Sequence, residues 1–208
     1  MYLIKTPWWL PLIAANGLIW EMPKTEQPTV YLSFDDGPHP VATQFVLAQL
    51  QAFEAKATFF CIGKNVAENP EIFRAIQDAG HCIGNHTQNH LNGWKTGTEQ
   101  YLEDYDLAAL FIPSTAFRPP YGRITRTQAQ RIQAKPRLGK VFMWTILSGD
   151  FDEKISPQKC LKNVLKSIKP GSIIVFHDSA KAWKRLEFCL PLVLEFCKNK
   201  NWTLKGLI

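Results

Sequence analysis

Little in this sequence divides it, staples it or anchors it. No repeat, low-complexity tract or compositional break interrupts its 208 residues, which excludes a string of domains and leaves one domain with at most a small appendage. No CxxC pair occurs, and the five cysteines (Cys61, Cys82, Cys160, Cys189, Cys197) are odd in number. That argues against a disulfide framework, and a chain of this length buries a full core without one. Cys61 and Cys82 lie in the apolar runs FFCIG and HCIGN, where a thiol behaves as a small hydrophobe. Reduced thiols favour a reducing, cytoplasmic setting over the cell envelope.

No uninterrupted apolar run is long enough to span a bilayer. The opening MYLIKTPWWLPLIAANGLIW comes nearest, but Pro11, Asn16 and Gly17 interrupt it. It also lacks the clean apolar centre and the small-x-small site of an export leader. The expectation is that residues 1–27 pack on a domain formed by 28–208 and bury Trp8 or Trp9. An interfacial membrane anchor through Trp8, Trp9 and Trp20 is the alternative, and an atypical export signal a third. The net charge of +6 comes with no nucleic-acid motif, so nucleic acid is not an expected partner. Lys162, Lys166 and Lys169 share a helix face opposite Leu161, Leu165 and Ile168, the pattern of a solvated surface.

What is present is an ordinary globular composition, 46% hydrophobic and 20% charged, laid out as alternating strand-length apolar runs and helical patterns. Strands are predicted at 30–34, 58–62, 81–84, 116–118, 141–147 and 172–176, with a short closing strand at 202–204. Helices are predicted at 41–53, 69–78, 98–110, 125–134, 156–168 and 186–197. Asn69-Pro70 and Ser156-Pro157 supply a cap followed by proline at the first helical position. Gly80 ends one helix, and Pro191 marks a kink or restart in another. Units of this kind, repeated every ~25–30 residues, are βαβ crossovers on a parallel sheet. Their number suits a closed or nearly closed (β/α) barrel better than an open doubly wound sheet.

The reactive residues choose one end of those strands. Asp35-Asp36 follow the first strand, His86 and His90 the third, Arg118 the fourth, Asp150 the fifth, and His177-Asp178 end the sixth. In a parallel barrel those ends form one rim, where active sites are built. Two adjacent carboxylates repel and are costly to desolvate, so a cation is expected beside them. His86 and His90 are four apart, which in a helical turn puts both imidazoles on one face. Two histidines and one carboxylate make a zinc-type site with a position open for water. One of the two aspartates then serves as ligand and the other as base, and His177 is placed to act as acid. His39 reads as an exposed turn residue.

SFDDG, HTQNH, RPPYG, GDF and VFH, in that order, resemble the motif set of the polysaccharide deacetylase family, the NodB homology domain of carbohydrate esterase family 4. The resemblance covers roughly residues 28–208. It implies a distorted, incomplete (β/α) barrel of about seven strands and a metal-dependent hydrolase that removes acetyl groups from N-acetylated carbohydrate, with an O-acetylated glycan as the alternative substrate. A small acetylated metabolite and a non-catalytic glycan-binding domain are further alternatives. By motif, Asp35 resembles the catalytic base, and Asp36, His86 and His90 the ligands of one divalent transition metal, zinc by expectation. Arg118 would hold and tune Asp35, and Asp150 would orient His177, the general acid. The backbone N–H of Tyr121 would bind the oxyanion, and Phe151 and Val175 would line the acetyl pocket. Two positions depart from the family pattern: Phe151 stands where tryptophan is usual, and Val175 where leucine is usual. Both keep an apolar wall, so they bear on substrate fit rather than on catalysis.

Overall fold

The computed structural model describes residues 2–135 and 139–208. Its frame is a curled, parallel, 9-stranded sheet with helices on the outside. The strands are β1 (Leu18–Ile19), β2 (Thr29–Asp35), β3 (Thr58–Cys61), β4 (Cys82–Asn85), β5 (Ala116–Phe117), β6 (Lys140–Phe142), β7 (Ile146–Leu147), β8 (Ile173–His177) and β9 (Thr203–Lys205). They run in the order β1-β6-β5-β4-β3-β2-β8-β7, with β9 paired to β2. β2 is central and buried along its whole length, its apolar residues in the core and its polar Ser33 and Asp35 hydrogen-bonded to Ile174 O and Arg118. Phe34, Phe59 and Phe176 stack side by side across β2, β3 and β8.

The expected strand at 141–147 is two strands, β6 next to one end of the sheet and β7 at the other. Val141 pairs with Phe117 of β5, whereas Leu147 pairs with Val175 of β8. Residues 143–145 cross between them, with Met143 N–H donating to Ile19 O at 2.7 Å and Thr145 N–H to Ile173 O at 3.0 Å. The unbroken apolar run VFMWTIL concealed this break, because every residue in it is suited to a strand. The crossing brings the two ends of the sheet together and nearly closes the barrel.

The helices are α1 (Leu10–Ile13), α2 (Ala42–Ala52), α3 (Gly63–Glu68), α4 (Pro70–Asp78), α5 (Thr98–Ala109), α6 (Arg126–Gln133), α7 (Pro157–Leu165) and α8 (Trp183–Asn199). Ser156 caps α7 by accepting from Lys159 N, and Thr125 with Gln128 forms a capping box on α6. Asn69 stands at the start of α4, but its side chain donates back to Asn65 O at 3.1 Å in α3, a helix absent from the sequence reading. Pro191 neither ends nor restarts α8, which runs through it as one 17-residue helix. β9 does not close the sheet. It pairs with Thr29–Tyr31 of β2, below the point where β3 begins its pairing at Ser33.

Residues 2–27 run along the barrel. Lys5 bridges Ile146, Ile4 O accepts from Leu147 N, and β1 extends the sheet beside β6. Ala15, Leu18, Ile19 and Met22 pack against core clusters. The tryptophans do not: Trp8 is 82% and Trp9 44% exposed, contrary to the expected burial of one of them. They flank α1, whose Leu12 and Ile13 are also exposed. Among the described residues, no helix is long and apolar enough to cross a membrane. The five cysteines are free, and Cys82 is only partly buried, with its thiol against Ile208 O.

Candidate active site

The ladder register delivers the reactive residues to one rim. Asp35 lies beside His177 across β2 and β8, and Asn85 beside Phe117 across β4 and β5, so that His86 and Arg118 are neighbours one step further on. The Arg118 side chain is completely buried, with Phe60 stacked on its guanidinium at 4.1 Å. Its Nη1 donates to Asp35 Oδ1 and to Ser33 Oγ, both at 2.7 Å. Nη2 donates to Met143 O at 2.9 Å, and Nε to Phe142 O at 3.3 Å, so the same guanidinium takes up carbonyls where β6 breaks off. Arg118 thus joins the barrel's closure to the first aspartate. Its own carbonyl accepts from His86 Nδ1 at 2.7 Å, which leaves Nε2 of His86 as the free lone pair.

Asp36 faces the other way. Its Oδ1 lies 3.2 Å from His90 Nε2 and 3.7 Å from His86 Nε2, and the three donor atoms lie within 4.8 Å of one another. That oxygen is buried and, among the described residues, accepts no hydrogen bond. Ligands of a tetrahedral zinc with bonds of roughly 2.0–2.1 Å lie about 3.4 Å apart, so the spacing fits a cation held between them. Burial lowers His86 to about 4, leaving it neutral and ligand-ready at pH 7. Burial works against ionised Asp36, yet the close imidazoles of His90, His177 and His86 hold its carboxyl far below the usual range. The two adjacent carboxylates therefore face different groups, Asp35 being bonded to Arg118 and Asp36 facing the imidazole pair.

His86 and His90 are not on a helix, as their spacing suggested. They lie on the loop after β4, which turns through left-handed conformations at Thr87 (φ 62°) and His90 (φ 57°). Asp104 of α5 clamps this loop, accepting from Asn89 N at 3.0 Å and from Asn89 Nδ2 at 2.6 Å. Thr87 O and Gln88 O accept from the first N–H groups of α3. Asp36 (φ 79°) and Tyr121 (φ 59°) are left-handed too. Each such non-glycine residue costs on the order of 1–3 kcal/mol, and their gathering at one rim marks a functional constraint.

On the far side, Asp150 is fully buried and takes two bonds from His177: the ring Nδ1 at 2.7 Å and the backbone N–H at 2.7 Å. Burial lowers His177, but the Asp150 carboxylate against its ring, with help from Asp36 and Asp35, outweighs this and raises it to about 10. The Phe151 ring stands edge-on to the His177 ring at 5.1 Å, and Val175 is buried two residues earlier on β8. Tyr121 follows Pro120 in a single 3₁₀ turn, with its ring 4.5 Å from His90, and no carbonyl of that turn takes its N–H.

Three residues had no assigned part in the sequence reading or were misread there. Asp178 is buried, with Oδ1 accepting from Gly37 N at 3.0 Å and Oδ2 from the Thr43 hydroxyl, and it fixes the turn after Asp36. A Cβ on Gly37 would come within 2.1 Å of this carboxylate, so glycine is required there. Burial pushes Asp178 up to about 8, against the opposing Thr43 bond. Its place beside His177 in FHDS was the available signal. His39 is half-buried rather than an exposed turn residue; its Nδ1 accepts from Val41 N and Ala42 N, both at 3.2 Å, at the start of α2. Tyr2 packs its ring 4.9 Å from that of Phe151 and donates to Asp152 Oδ2 at 2.7 Å, a contact over a sequence gap that no local pattern reveals.

Residues 23–136 match the family model described as polysaccharide deacetylase. The chain belongs to the polysaccharide deacetylase family. Like its family, it is a metal-dependent hydrolase that deacetylates carbohydrate. A peptidoglycan-N-acetylglucosamine deacetylase of Bacillus cereus is 31% identical over 189 residues, covering 88% of this chain and 87% of that protein. A chitooligosaccharide deacetylase of Azorhizobium caulinodans is 35% identical over 159 residues, covering 73% and 74%. Among solved structures, a peptidoglycan N-acetylglucosamine deacetylase in complex with an N-hydroxybenzamide superposes with a TM-score of 0.82 at 27% identity, over 92% of this chain and 91% of that one. The curled barrel is therefore the family fold, and the Asp36–His86–His90 cluster is a candidate metal site of the Asp/His/His kind typical of the family.

Proposed function

We propose that the protein removes the acetyl group from N-acetylglucosamine units of a glycan, with zinc held by Asp36, His86 and His90. The observation that carries this reading is the buried, unpartnered Oδ1 of Asp36 facing two imidazole nitrogens, flanked by the Asp35–Arg118 and Asp150–His177 pairs. Bound there, the ion lowers the pKa of water and polarises the amide carbonyl. Asp35 takes the proton of the attacking water, held in place by Arg118. The Tyr121 N–H donates to the oxyanion that develops on the acetyl carbonyl oxygen. Asp150 fixes Nδ1 of His177, so Nε2 faces the cleft and gives its proton to the leaving amine. Phe151 and Val175 form the apolar wall against the acetyl methyl. Related deacetylases named for peptidoglycan and for chitooligosaccharides support N-acetylglucosamine as the sugar.

Acetate release from N-acetylated chitooligosaccharides and from O-acetylated xylan tests the reading. Turnover of the former is expected to dominate; turnover of xylan alone would replace it with the esterase.

The acid has a pH signature. His177 is raised, so its proton is present through neutral pH and is lost only as pH climbs through the raised value. The alkaline limb of kcat/KM is therefore expected well above the ordinary histidine value of roughly 6.5. A bound cation offsets the share due to Asp36, but the share due to Asp150 remains. Asp150→Asn removes that carboxylate while burial still lowers the ring, so the limb should fall by several pH units. Identical limbs in the two proteins would remove His177 as the acid.

A further inference from the structure

The loop that carries His90 runs on to an aromatic ring with no part in the reaction just described. Trp94 is 60% exposed, yet it is held from three sides. Its Nε1 donates to Ile124 O at 3.0 Å, and its backbone N–H donates to Asn92 Oδ1 at 3.0 Å. The Arg123 guanidinium lies over the ring, 4.0 Å from its centroid. Beneath the ring, Gly93 N donates to Arg123 O at 3.2 Å, and Gln128 Nε2 donates to Gly93 O at 3.0 Å and Thr96 O at 3.2 Å. A Cβ at Gly93 would meet Arg123 O at 2.5 Å, so glycine permits the two loops to run this close.

The loops after β4 and β5 therefore lie side by side. At one end the His90 ring meets the Tyr121 ring at 4.5 Å, and at the other Trp94 meets Arg123. The span from His90 to Trp94 cannot exceed about 14 Å, the extended-chain limit for that many residues. Tyr121, at the His90 end, is itself 61% exposed. Two exposed aromatic rings thus lead away from the metal ligands along one rim. A lone exposed ring is ordinary, but two on one rim, bordered by polar groups, are of the kind that marks a ligand-binding groove. A ring already immobilised gives up little further entropy when a ligand covers it. The C–H face of a pyranose is the complementary surface: flat, apolar and part of the glycan that must pass this rim.

We infer that Trp94 is a stacking subsite for a sugar unit of the substrate glycan next to the one that loses its acetyl group, with Arg123 as the positioning residue behind the ring. The inference rests on the glycan reading above and adds a site to it. Its consequence is a dependence on chain length. Longer oligosaccharides gain from Trp94, whereas the chemistry at the metal does not.

The test is acetate release by zinc-loaded wild type, Trp94→Phe and Trp94→Ala over N-acetylglucosamine oligomers of increasing length. In wild type, kcat/KM should rise with length. In Trp94→Ala that rise should be lost, through a KM increase of about 5–30-fold on the long oligomers, the usual effect of truncating an aromatic anchor. On those oligomers kcat should be unchanged, and Trp94→Phe should recover part of the gain. The same length dependence in Trp94→Ala as in wild type overturns the subsite, as does an equal loss at every length. If wild type releases no acetate from any oligomer, the functional reading fails by itself. Calorimetric binding of a long oligomer then decides the subsite: weaker binding by Trp94→Ala supports it, and equal binding by both proteins overturns it.

Discussion

Asp36→Ala should lose its metal and its activity together. Asp36 supplies the only carboxylate of the three-donor set, and among the described residues its Oδ1 accepts no hydrogen bond. Removing it leaves two imidazoles, too few to hold a divalent ion against water. The fall in affinity should exceed the roughly 10–100-fold loss caused by removing a residue that merely orients a ligand. Alanine at a φ of 79° is strained in its own right, so Asp36→Asn is the companion variant, because asparagine tolerates that conformation. Metal analysis and acetate release on both variants check the assignment. Full metal content in Asp36→Ala would remove this residue from the ligand set.

Asp35→Asn should behave differently although the two acids are adjacent. The side chain keeps its shape and can still accept from Arg118, so the metal should remain bound. The basic oxygen is lost, and turnover should fall by the contribution of a positioned general base, roughly 10²–10⁴-fold. The loss should appear in kcat with little change in KM, since the proton moves only in the transition state. Asparagine is the informative replacement because Arg118 is completely buried. Asp35→Ala would strip a partner from a buried charge, at a cost of about 3–5 kcal/mol, and confuse stability with catalysis. Unchanged kcat in a zinc-loaded Asp35→Asn protein would deny Asp35 the role of base.

The repeat of strand and helix was legible because β2, β3 and β8 are buried along nearly their whole length, so their runs are predominantly apolar. Their ends were legible for the same reason, since a polar residue closing such a run must lie at the rim. Asp35, His86, Arg118, Asp150 and His177 were found in that way. What local pattern could not reveal was geometry set by distant partners. The HxxxH spacing suggested a helix, but Asp104 and the start of α3 hold that loop in left-handed turns instead. The run at 141–147 suggested one strand, but Arg118 and Ile19 take the backbone groups at the break. Tyr2 reaches Phe151 across most of the chain, so the N-terminal segment touches the wall beside the proposed acid. Trp8 and Trp9 look like core residues by type, yet the residues of that segment that pack against the core are smaller ones such as Ala15 and Leu18.

The central claim is that one metal ion at Asp36, His86 and His90 drives removal of acetyl from an amino sugar. It is tested most directly by acetate release from N-acetylglucosamine oligomers before chelation, after chelation, and after return of one equivalent of zinc. The account predicts release that disappears with the metal and returns with it at a stoichiometry near one per chain. Undiminished release from protein shown by metal analysis to be empty would contradict it.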